Sequence, residues 1–370
     1  MKKIIQLVII TVIFNLSNQV KGQDLSFSQF YENPLLRNPA LAGVFEGDIR
    51  LIGTNRNQWQ SITVPYKTQA FSTEVKFPIG NNNDWATGGL QITHDVAGDI
   101  QLKRTQVMPV FNYHLFFGDE NYLSLAVMGG PVQSQFDPTQ IKFGDQFDAN
   151  SGAYNPNIIS RQQFSKTGFT YWDLSTGISW NSSFPMDNEN VGRYYLGVGM
   201  FHVNNPKMGS FITLDTTPTI KRKYTFNGGL TLPVSDNDKI IFYGDYFVQG
   251  GSRQFFGGLM YGRNVFHDFQ PLNEDRFNDI SIYGGAFYRW NDAIVPAIKL
   301  DMFSLSVGLS YDVTVSTLQT YAQSKGGFEF TLSYKAKLNN RRTGGYNSPY
   351  GTSNAADRNA RDQVKCKPTF

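Results

Sequence analysis

Apolar and polar side chains alternate with a period of two along most of the chain. Between residues 328 and 335, two Phe, a Leu and a Tyr fall on one side, while Glu, Thr, Ser and Lys fall on the other. The same alternation occurs at residues 122–127, 224–232, 240–248 and 304–310. Successive side chains of a strand point to opposite faces, so this pattern predicts an all-β protein with one apolar face.

The alternating segments predict about 14 strands. They lie near residues 47–58, 67–78, 85–96, 102–116, 121–134, 168–181, 193–204, 219–233, 238–249, 253–264, 279–290, 293–301, 303–314 and 326–337. Segments of about 10–13 residues are long enough to cross a bilayer at a tilt. Aromatic residues near strand ends, as at 194–195, 255–256 and 287–290, are typical of an interfacial girdle.

These features favour a transmembrane outer-membrane β-barrel with antiparallel strands. A soluble exported sandwich would show the same alternation, but strand length and the aromatic ends favour the membrane barrel. An even number of strands puts both chain ends on the periplasmic side. Short turns at 81–84, 118–120 and 235–238 contrast with long connections at 137–167 and 264–278. We expect the two long connections to share the outward end.

The chain divides into four predicted parts. Residues 1–22 have Lys2 and Lys3 before an apolar stretch and predict a signal peptide, the alternative being an uncleaved anchor. Residues 23–46 contain two Asn-Pro pairs and predict a periplasmic or plug segment, inside the lumen or against the periplasmic rim. Residues 47–337 form the barrel, and residues 338–370 form a polar, periplasmic tail.

Charge and motifs exclude several functions. The 33 basic and 30 acidic side chains become 30 of each once Lys2, Lys3 and Lys21 are removed, which gives no argument for nucleic acid. Cys366 is the only cysteine, and the four histidines lack metal-ligand spacing. No nucleophile elbow, P-loop or dinucleotide motif is present. We therefore predict no enzyme activity, catalytic residue, cofactor or metal site.

Polar and glycine positions within the strands have two interpretations. Asp95, Asp173 and Asp245 fit a wet lumen face, or alternatively a polar binding track inside the barrel. Glycine pairs such as 228–229 and 257–258 fit relief of crowding where strands curve.

Several segments resemble the PorP/SprF family over nearly the whole chain after residue 22. They are Phe-Ser-Gln-Phe-Tyr at 27–31, Asn-Pro-Ala-Leu-Ala-Gly at 38–43, Asn-Arg-Asn-Gln-Trp at 55–59, Gly-Leu-Gln-Ile at 89–92, Asp-Val-Ala-Gly at 95–98, and Leu-Gly-Val-Gly-Met-Phe-His at 196–202 with Pro206. The ending at 366–370 is similar to the family's Cys-Pro-Arg-Phe, but Lys367 intervenes and Thr369 replaces Arg.

The resemblance implies an outer-membrane component of the type IX secretion system of Bacteroidota. Such a protein supports secretion and surface anchoring of a specific large cargo, such as a gliding adhesin, by binding its C-terminal domain. The implied partners are outer-membrane lipid, the cargo and other type IX components. The alternative function is an outer-membrane transport channel for small solutes, because a barrel of this size has room for one unless it is plugged.

The candidate structural or partner-binding residues come from the same motifs. We expect a cluster near the periplasmic mouth, which either binds a partner or stabilises the fold, from Asn38, Pro39, Ala40, Arg56, Gln58 and Trp59. Trp59 is alternatively an anchor at the membrane interface. Further candidates are Gly43, Asp95, Gly98, His202 and Pro206.

Overall fold

The structure is a computed structural model that describes most of the chain after residue 23. It covers residues 24–338 apart from 59–63, 81–82, 99, 119, 149–150, 156, 162–163, 187–189, 212–217, 267–279 and 317–324. The predicted signal peptide, the tail from residue 339 and Trp59 lie outside the described residues.

Fourteen antiparallel strands close into one barrel, which confirms the predicted class and strand number. They are β1 Ile49–Gln58, β2 Tyr66–Ile79, β3 Asp84–Ala97, β4 Leu102–Phe116, β5 Tyr122–Gln135, β8 Gly168–Pro185, β9 Val191–Phe201, β10 Lys223–Pro233, β11 Asp238–Gln249, β12 Ser252–Phe266, β13 Ile280–Arg289, β14 Ala293–Met302, β15 Leu305–Thr314 and β16 Lys325–Ala336. Each strand pairs with its neighbour in the barrel sequence, and β1 pairs with β16 to close the wall. Two short strands, β6 Phe147–Asp148 and β7 Ala153–Tyr154, form a hairpin outside the wall.

The period of two separates a lipid-facing side from an interior side. On β16, Phe330 is 38% exposed while the adjacent Glu329 is 1% exposed. The predicted aromatic girdle is wrong at three of its seven aromatic positions, because neighbouring residues of a strand face opposite ways. Tyr195, Phe256 and Phe287 are buried inside the barrel, whereas Phe255, Tyr288 and Trp290 are exposed outside it.

The barrel has two ends that differ in their connections. At the terminal end, β1 begins and β16 ends, with Ile49 opposite Ala336; at the distal end, Gln58 lies opposite Gly327. Connections alternate between the ends, so residues 136–167 and 202–222 join strands at the distal end. β12 ends and β13 begins at the terminal end instead. The expectation that 137–167 and 264–278 share one end is therefore wrong. Successive connections of an antiparallel barrel alternate between its ends, whatever their length.

Residues 24–47, which we call the lumen segment, lie inside the barrel. The segment contains 3-10 turns at Phe30–Glu32 and Pro39–Leu41 and a one-turn helix at Pro34–Arg37. Proline begins two of these turns, where its missing N–H costs no hydrogen bond. In the described part of the chain no helix is long and apolar enough to cross a membrane.

The lumen segment supplies the apolar centre around which the wall packs. Phe30 contacts inward side chains of β11 to β14, including Phe256 and Phe287. Leu35 packs against β4, β5 and β8, and Val44 packs against Trp85. The hydrophobic core is thus shared between the wall and a segment that the strand pattern does not include.

Candidate functional site

The distal half of the lumen segment binds a carboxylate on β16. The backbone N–H groups of Ser28 and Gln29 donate to Glu329 Oε2 and Oε1 at 2.7 and 2.8 Å. The Gln29 side chain donates to the Glu329 carbonyl at 3.1 Å. A Cβ placed on Gly308 would overlap the Gln29 side chain. The lumen segment can therefore pack against this part of the wall only because residue 308 is a glycine.

Arg56 belongs to a buried charge cluster that joins three strands to the segment. Asp312 Oδ2 accepts from Arg56 at 2.7 Å and from Arg289 at 2.8 Å. Asp312 also accepts from the Ser28 hydroxyl, and Arg56 donates to the Ser26 carbonyl. Because the cluster is buried, each charge depends on its partners for compensation.

The middle of the segment is fixed by Arg37. Its guanidinium donates two hydrogen bonds to Asp245 on β11, both 2.6 Å, and the two side chains are 4% and 0% exposed. The rings of Phe30, Tyr195 and Tyr243 lie 5.0, 5.7 and 5.9 Å from the guanidinium carbon. Arg37 therefore fixes the lumen segment to β11 through two hydrogen bonds, with three aromatic rings around its guanidinium.

Asn38, Pro39 and Ala40 form a turn that is seated against the wall between β4 and β9. Asn38 donates to the Ile178 carbonyl at 3.2 Å and accepts from the Ala40 N–H at 2.9 Å. The Ala40 carbonyl accepts from Asn112 and Ser179, each at 2.9 Å. The motif therefore holds the lumen segment to the barrel by backbone and side-chain hydrogen bonds.

Gly177 of β8 is the wall residue against which the turn at Asn38 to Ala40 packs. A Cβ placed there would overlap Asn38 Oδ1, and Asn38 is fully buried. We expect Gly177→Ala to lower the free energy of unfolding by about 1–3 kcal/mol, because the bonded amide has no room to move. Urea unfolding in detergent measures the change. Gly244→Ala is the matched control, since no atom lies within 4 Å of its Cβ. An equal loss of unfolding free energy in the two variants would contradict a close contact between Gly177 and Asn38.

Gly43 begins the anchorage at the terminal end. Its N–H donates to Glu74 Oε2 at 2.8 Å, and Glu74 also takes two hydrogen bonds from Arg50 at 2.9 Å. Gly43 has φ +82, and a Cβ there would overlap Thr87. Only glycine meets both requirements without strain.

Asp24 and His202 close the other end of the segment, at the distal mouth. His202 lies between two carboxylates, with Nε2 2.6 Å from Asp24 and Nδ1 2.8 Å from Asp173. Burial alone would lower the pKa of His202, but these two hydrogen bonds outweigh it and raise the pKa to about 9. Arg104 lies 3.4 Å from the second Asp24 oxygen. The start of the segment is thus held by charged groups of two strands and a loop.

The structure does not bring the predicted cluster together near the mouth at which the strand array begins and ends. Arg56 and Gln58 lie toward the distal end of β1, opposite the expected mouth, because β1 begins at the terminal end. Asn38 and Ala40 hydrogen-bond to β4 and β8, whereas Arg56 bonds to Ser26 and Asp312. Sequence position suggested one cluster because 38–40 and 55–59 are close along the chain, but the segment runs inside the barrel between them.

The remaining candidates lie at or near the distal end. Asp95 accepts from the Thr68 hydroxyl at 2.6 Å, and Gly98 is in the next turn with φ +67. The Pro206 carbonyl accepts from Ile220 at 3.0 Å within the loop after β9. These residues shape loops and wall at the distal end.

The expectation of a wet lumen face is wrong at two of its three aspartates. Asp173 and Asp245 are 3% and 1% exposed, and each is bonded to a cation. Sequence reasoning also missed Arg37, Arg289 and Asp312. The available signal was a charged residue at an inward strand position, as at Asp312, but its partner depends on closure of the barrel. Among the described residues, no three His, Cys, Asp or Glu side chains are grouped to hold a metal ion.

The two long distal connections pack on each other and form what we call the distal loop pair, residues 136–167 and 202–222. Phe136 contacts Phe164 and Phe211 with ring centroids 4.7 and 4.6 Å apart. The Phe211 carbonyl accepts from the Ser165 N–H at 2.9 Å. On the same loop, Phe147 of the β6–β7 hairpin is 57% exposed and Ile159 is 90% exposed. The loop therefore packs against its neighbour near its two ends and exposes apolar side chains between them.

Solved structures similar to this chain are outer-membrane barrels. A toluene transporter, TbuX, from Ralstonia pickettii is 11% identical, with a TM-score of 0.46 over 88% of this chain and 100% of that one. The translocator domain of the autotransporter NalP from Neisseria meningitidis is 9% identical, with a TM-score of 0.41 over 83% of this chain and 95% of that one.

Comparison of the sequence with known families identifies the family of this chain. No curated protein matches the chain. The family described as type IX secretion system membrane protein PorP/SprF matches residues 19–334, which include the lumen segment and nearly the whole barrel. A closed barrel with a lipid-facing apolar side agrees with an outer-membrane location. The chain belongs to the PorP/SprF family of type IX secretion system membrane proteins.

Proposed function

We propose that this protein supports secretion and surface anchoring of a specific large cargo, such as a gliding adhesin, by binding the cargo's C-terminal domain on the distal loop pair. The observation that carries the proposal is that the lumen is filled by the chain's own residues 24–47, while the distal loop pair presents exposed apolar side chains. Binding is therefore assigned to the loops and not to the interior.

The orientation of the barrel supports this assignment. Both ends of the strand array lie at the terminal end, which in even-stranded barrels faces the periplasm. The distal end then faces the outside of the cell, where an anchored cargo would have to be held. Other type IX components would meet the protein from the periplasmic side or through the membrane.

The β6–β7 hairpin gives the loop pair a specific mode of binding. Its two strands pair only with each other among the described residues, at Phe147 with Tyr154 and Asp148 with Ala153. Strand edges take up extended partner segments through main-chain hydrogen bonds, and neighbouring apolar side chains add specificity. We assign the C-terminal segment of the cargo, in extended form, to this hairpin.

The test combines a gene deletion with a loop variant. We expect the double variant Phe147→Ser with Ile159→Ser to leave the barrel in the outer membrane and to reduce one large adhesin at the cell surface to the level of the deletion strain. Quantitative surface proteomics measures it. Lys166→Ala changes an exposed residue of the same loop and should leave the adhesin unchanged. A full amount of every large surface protein in the double variant would refute loop docking.

The alternative of an open solute channel has less support. Asp245, Glu74 and Glu329 of the wall bind the lumen segment at three levels of the barrel, so the path through the lumen is occupied. The conductance experiment in the Discussion separates the two functions.

A further inference from the structure

We infer that a patch on the outside of the barrel, at the distal ends of β2 to β5, binds the phosphate of a lipid of the outer leaflet. We call it the outer polar patch. Its side chains are exposed or half-buried at outward strand positions, and they are Lys67, Gln69, His94, Lys103, Thr105 and Gln133. The inference uses the orientation of the barrel but not the docking of cargo on the distal loop pair, so the two can fail separately.

The patch is built from two rows of outward side chains that cross neighbouring strands. The first row holds one polar side chain on each of β2 to β5, namely Gln69, His94, Thr105 and Gln133. In the second row, nearer the strand ends, Val96 separates Lys67 from Lys103. Neighbouring strands are about 4.8 Å apart, so the backbones of the two lysines are about 10 Å apart. Two long, flexible ammonium side chains at this spacing can converge on one phosphate.

The patch lies just beyond the apolar band of the same strands. On β2 the outward positions from Phe71 to Ile79 are apolar except for Thr73, and on β4 those from Val107 to Leu115 are apolar or aromatic. At about 3.3 Å per residue and a tilt of about 40°, each stretch covers about 20 Å of height, close to the roughly 25 Å apolar band of outer-membrane barrels. The patch therefore begins where the hydrocarbon ends, which is the level of the lipid phosphates.

Other strands carry aromatic side chains at their distal ends instead. The outward, exposed residues near the distal ends of β10 to β13, β15 and β16 include Tyr224, Tyr246, Phe255, Tyr288, Tyr311 and Phe328. Aromatic residues at this level form the usual interfacial girdle of a membrane barrel. In the two rows of β2 to β5, no outward position holds Phe, Tyr or Trp. The patch is thus a local replacement of the girdle by polar and cationic groups, which indicates a polar partner at the membrane surface.

The outward charges of the wall differ in sign between the two ends. At the distal end they are Lys67, Lys103 and Arg253, and no described strand carries an outward carboxylate there. Asp84 and Asp238 occupy outward positions at the terminal end. Neither lysine of the patch forms an ion pair with a described residue. Unpaired lysines at a membrane surface attract anionic lipid headgroups, so charge complementarity favours a phosphorylated lipid.

Neutral groups beside the lysines suit the rest of such a lipid. His94 Nδ1 lies 2.9 Å from the Thr105 hydroxyl, and no described residue bonds its Nε2. Imidazole and amide groups exchange hydrogen bonds with phosphate oxygens and sugar hydroxyls. The next row toward the membrane is apolar, with Phe71, Ile92 and Val107 opposite one another, and would lie against the acyl chains. A phosphorylated glycolipid therefore matches the patch from headgroup to chain.

Native mass spectrometry of the purified full chain in a non-ionic detergent tests the site with two matched lipids. Diphosphoryl lipid A is expected to bind, and the same lipid without its phosphates is expected to bind about tenfold or more weakly. High salt should weaken only the phosphorylated lipid, because exposed charges are screened. Equal binding of the two lipids would overturn the inference. Displacement of the lipid by inorganic phosphate would also overturn it, since the site would then take a free anion.

Variants of the patch locate the bound lipid. Lys67→Gln with Lys103→Gln should weaken binding of diphosphoryl lipid A about tenfold or more, while Lys67→Arg with Lys103→Arg should retain it. Arg263→Gln is the matched control, because it removes an exposed outward cation at the terminal end, and it should bind the lipid as the native chain does. Thermal unfolding in detergent verifies that each variant is folded. Undiminished binding by the folded double glutamine variant would place the lipid elsewhere.

Discussion

Replacing Arg37 with methionine is expected to lower the free energy of unfolding by about 3–5 kcal/mol, because it leaves Asp245 buried without a partner. Asp245 is enclosed by the wall and the lumen segment and has no route to water, since its side chain is 0% exposed. The bidentate geometry makes loss of the guanidinium costly in hydrogen bonds as well as in charge. Urea unfolding of the detergent-solubilised protein, followed by tryptophan fluorescence, measures the change.

The double variant Arg37→Met with Asp245→Leu distinguishes a broken ion pair from lost packing. Removing both charges should restore most of the stability, since a buried pair replaced by apolar side chains is often close to neutral. Asp84→Asn is a control, because that carboxylate is only partly buried and accepts from Tyr113 and Phe116 outside the lumen cluster. A double variant as unstable as Arg37→Met alone would assign the loss to packing of the aromatic rings and not to charge.

The strands could be predicted from sequence because their signal is local. On β16, the alternation of Phe328, Phe330 and Leu332 with Glu329 and Thr331 is set by two environments, lipid and interior, one on each face. The period of a strand then fixes orientation residue by residue. Bounds and number follow from the same pattern, which is why the predicted and observed strands agree within a few residues.

The candidate site could be predicted only in part because its contacts are long-range. Arg37 and Asp245 are 208 residues apart, and Ser28 and Glu329 are 301 apart. Each pair forms only when the barrel closes around the segment, so spacing along the chain carries no information about it. The motif at 38–43 did indicate important residues, but its role depends on Gly177 and Asn112, which belong to distant strands.

The filled lumen also explains why several sequence expectations failed together. A barrel of 14 strands was expected to have a wet interior at Asp173 and Asp245, and its aromatic pairs were expected to face lipid. Both expectations treat the inner face as solvent-exposed. Because residues 24–47 occupy that space, the inner face behaves as a protein core, with buried rings such as Phe256 and buried ion pairs.

Deleting residues 24–46 while keeping the signal peptide is expected to convert a closed protein into one that conducts ions. The native chain should show no persistent conductance in planar bilayers, since wall and lumen segment are joined from Asp24 to Gly43. Without the segment, a 14-stranded wall lined by Glu74, Asp312 and Arg289 would surround a polar channel. Circular dichroism verifies that the shortened barrel keeps its strands, and deletion of residues 347–370 serves as the control. Steady conductance of the native chain would favour the solute-channel alternative, and a folded deletion variant that stays closed would show that other residues block the lumen.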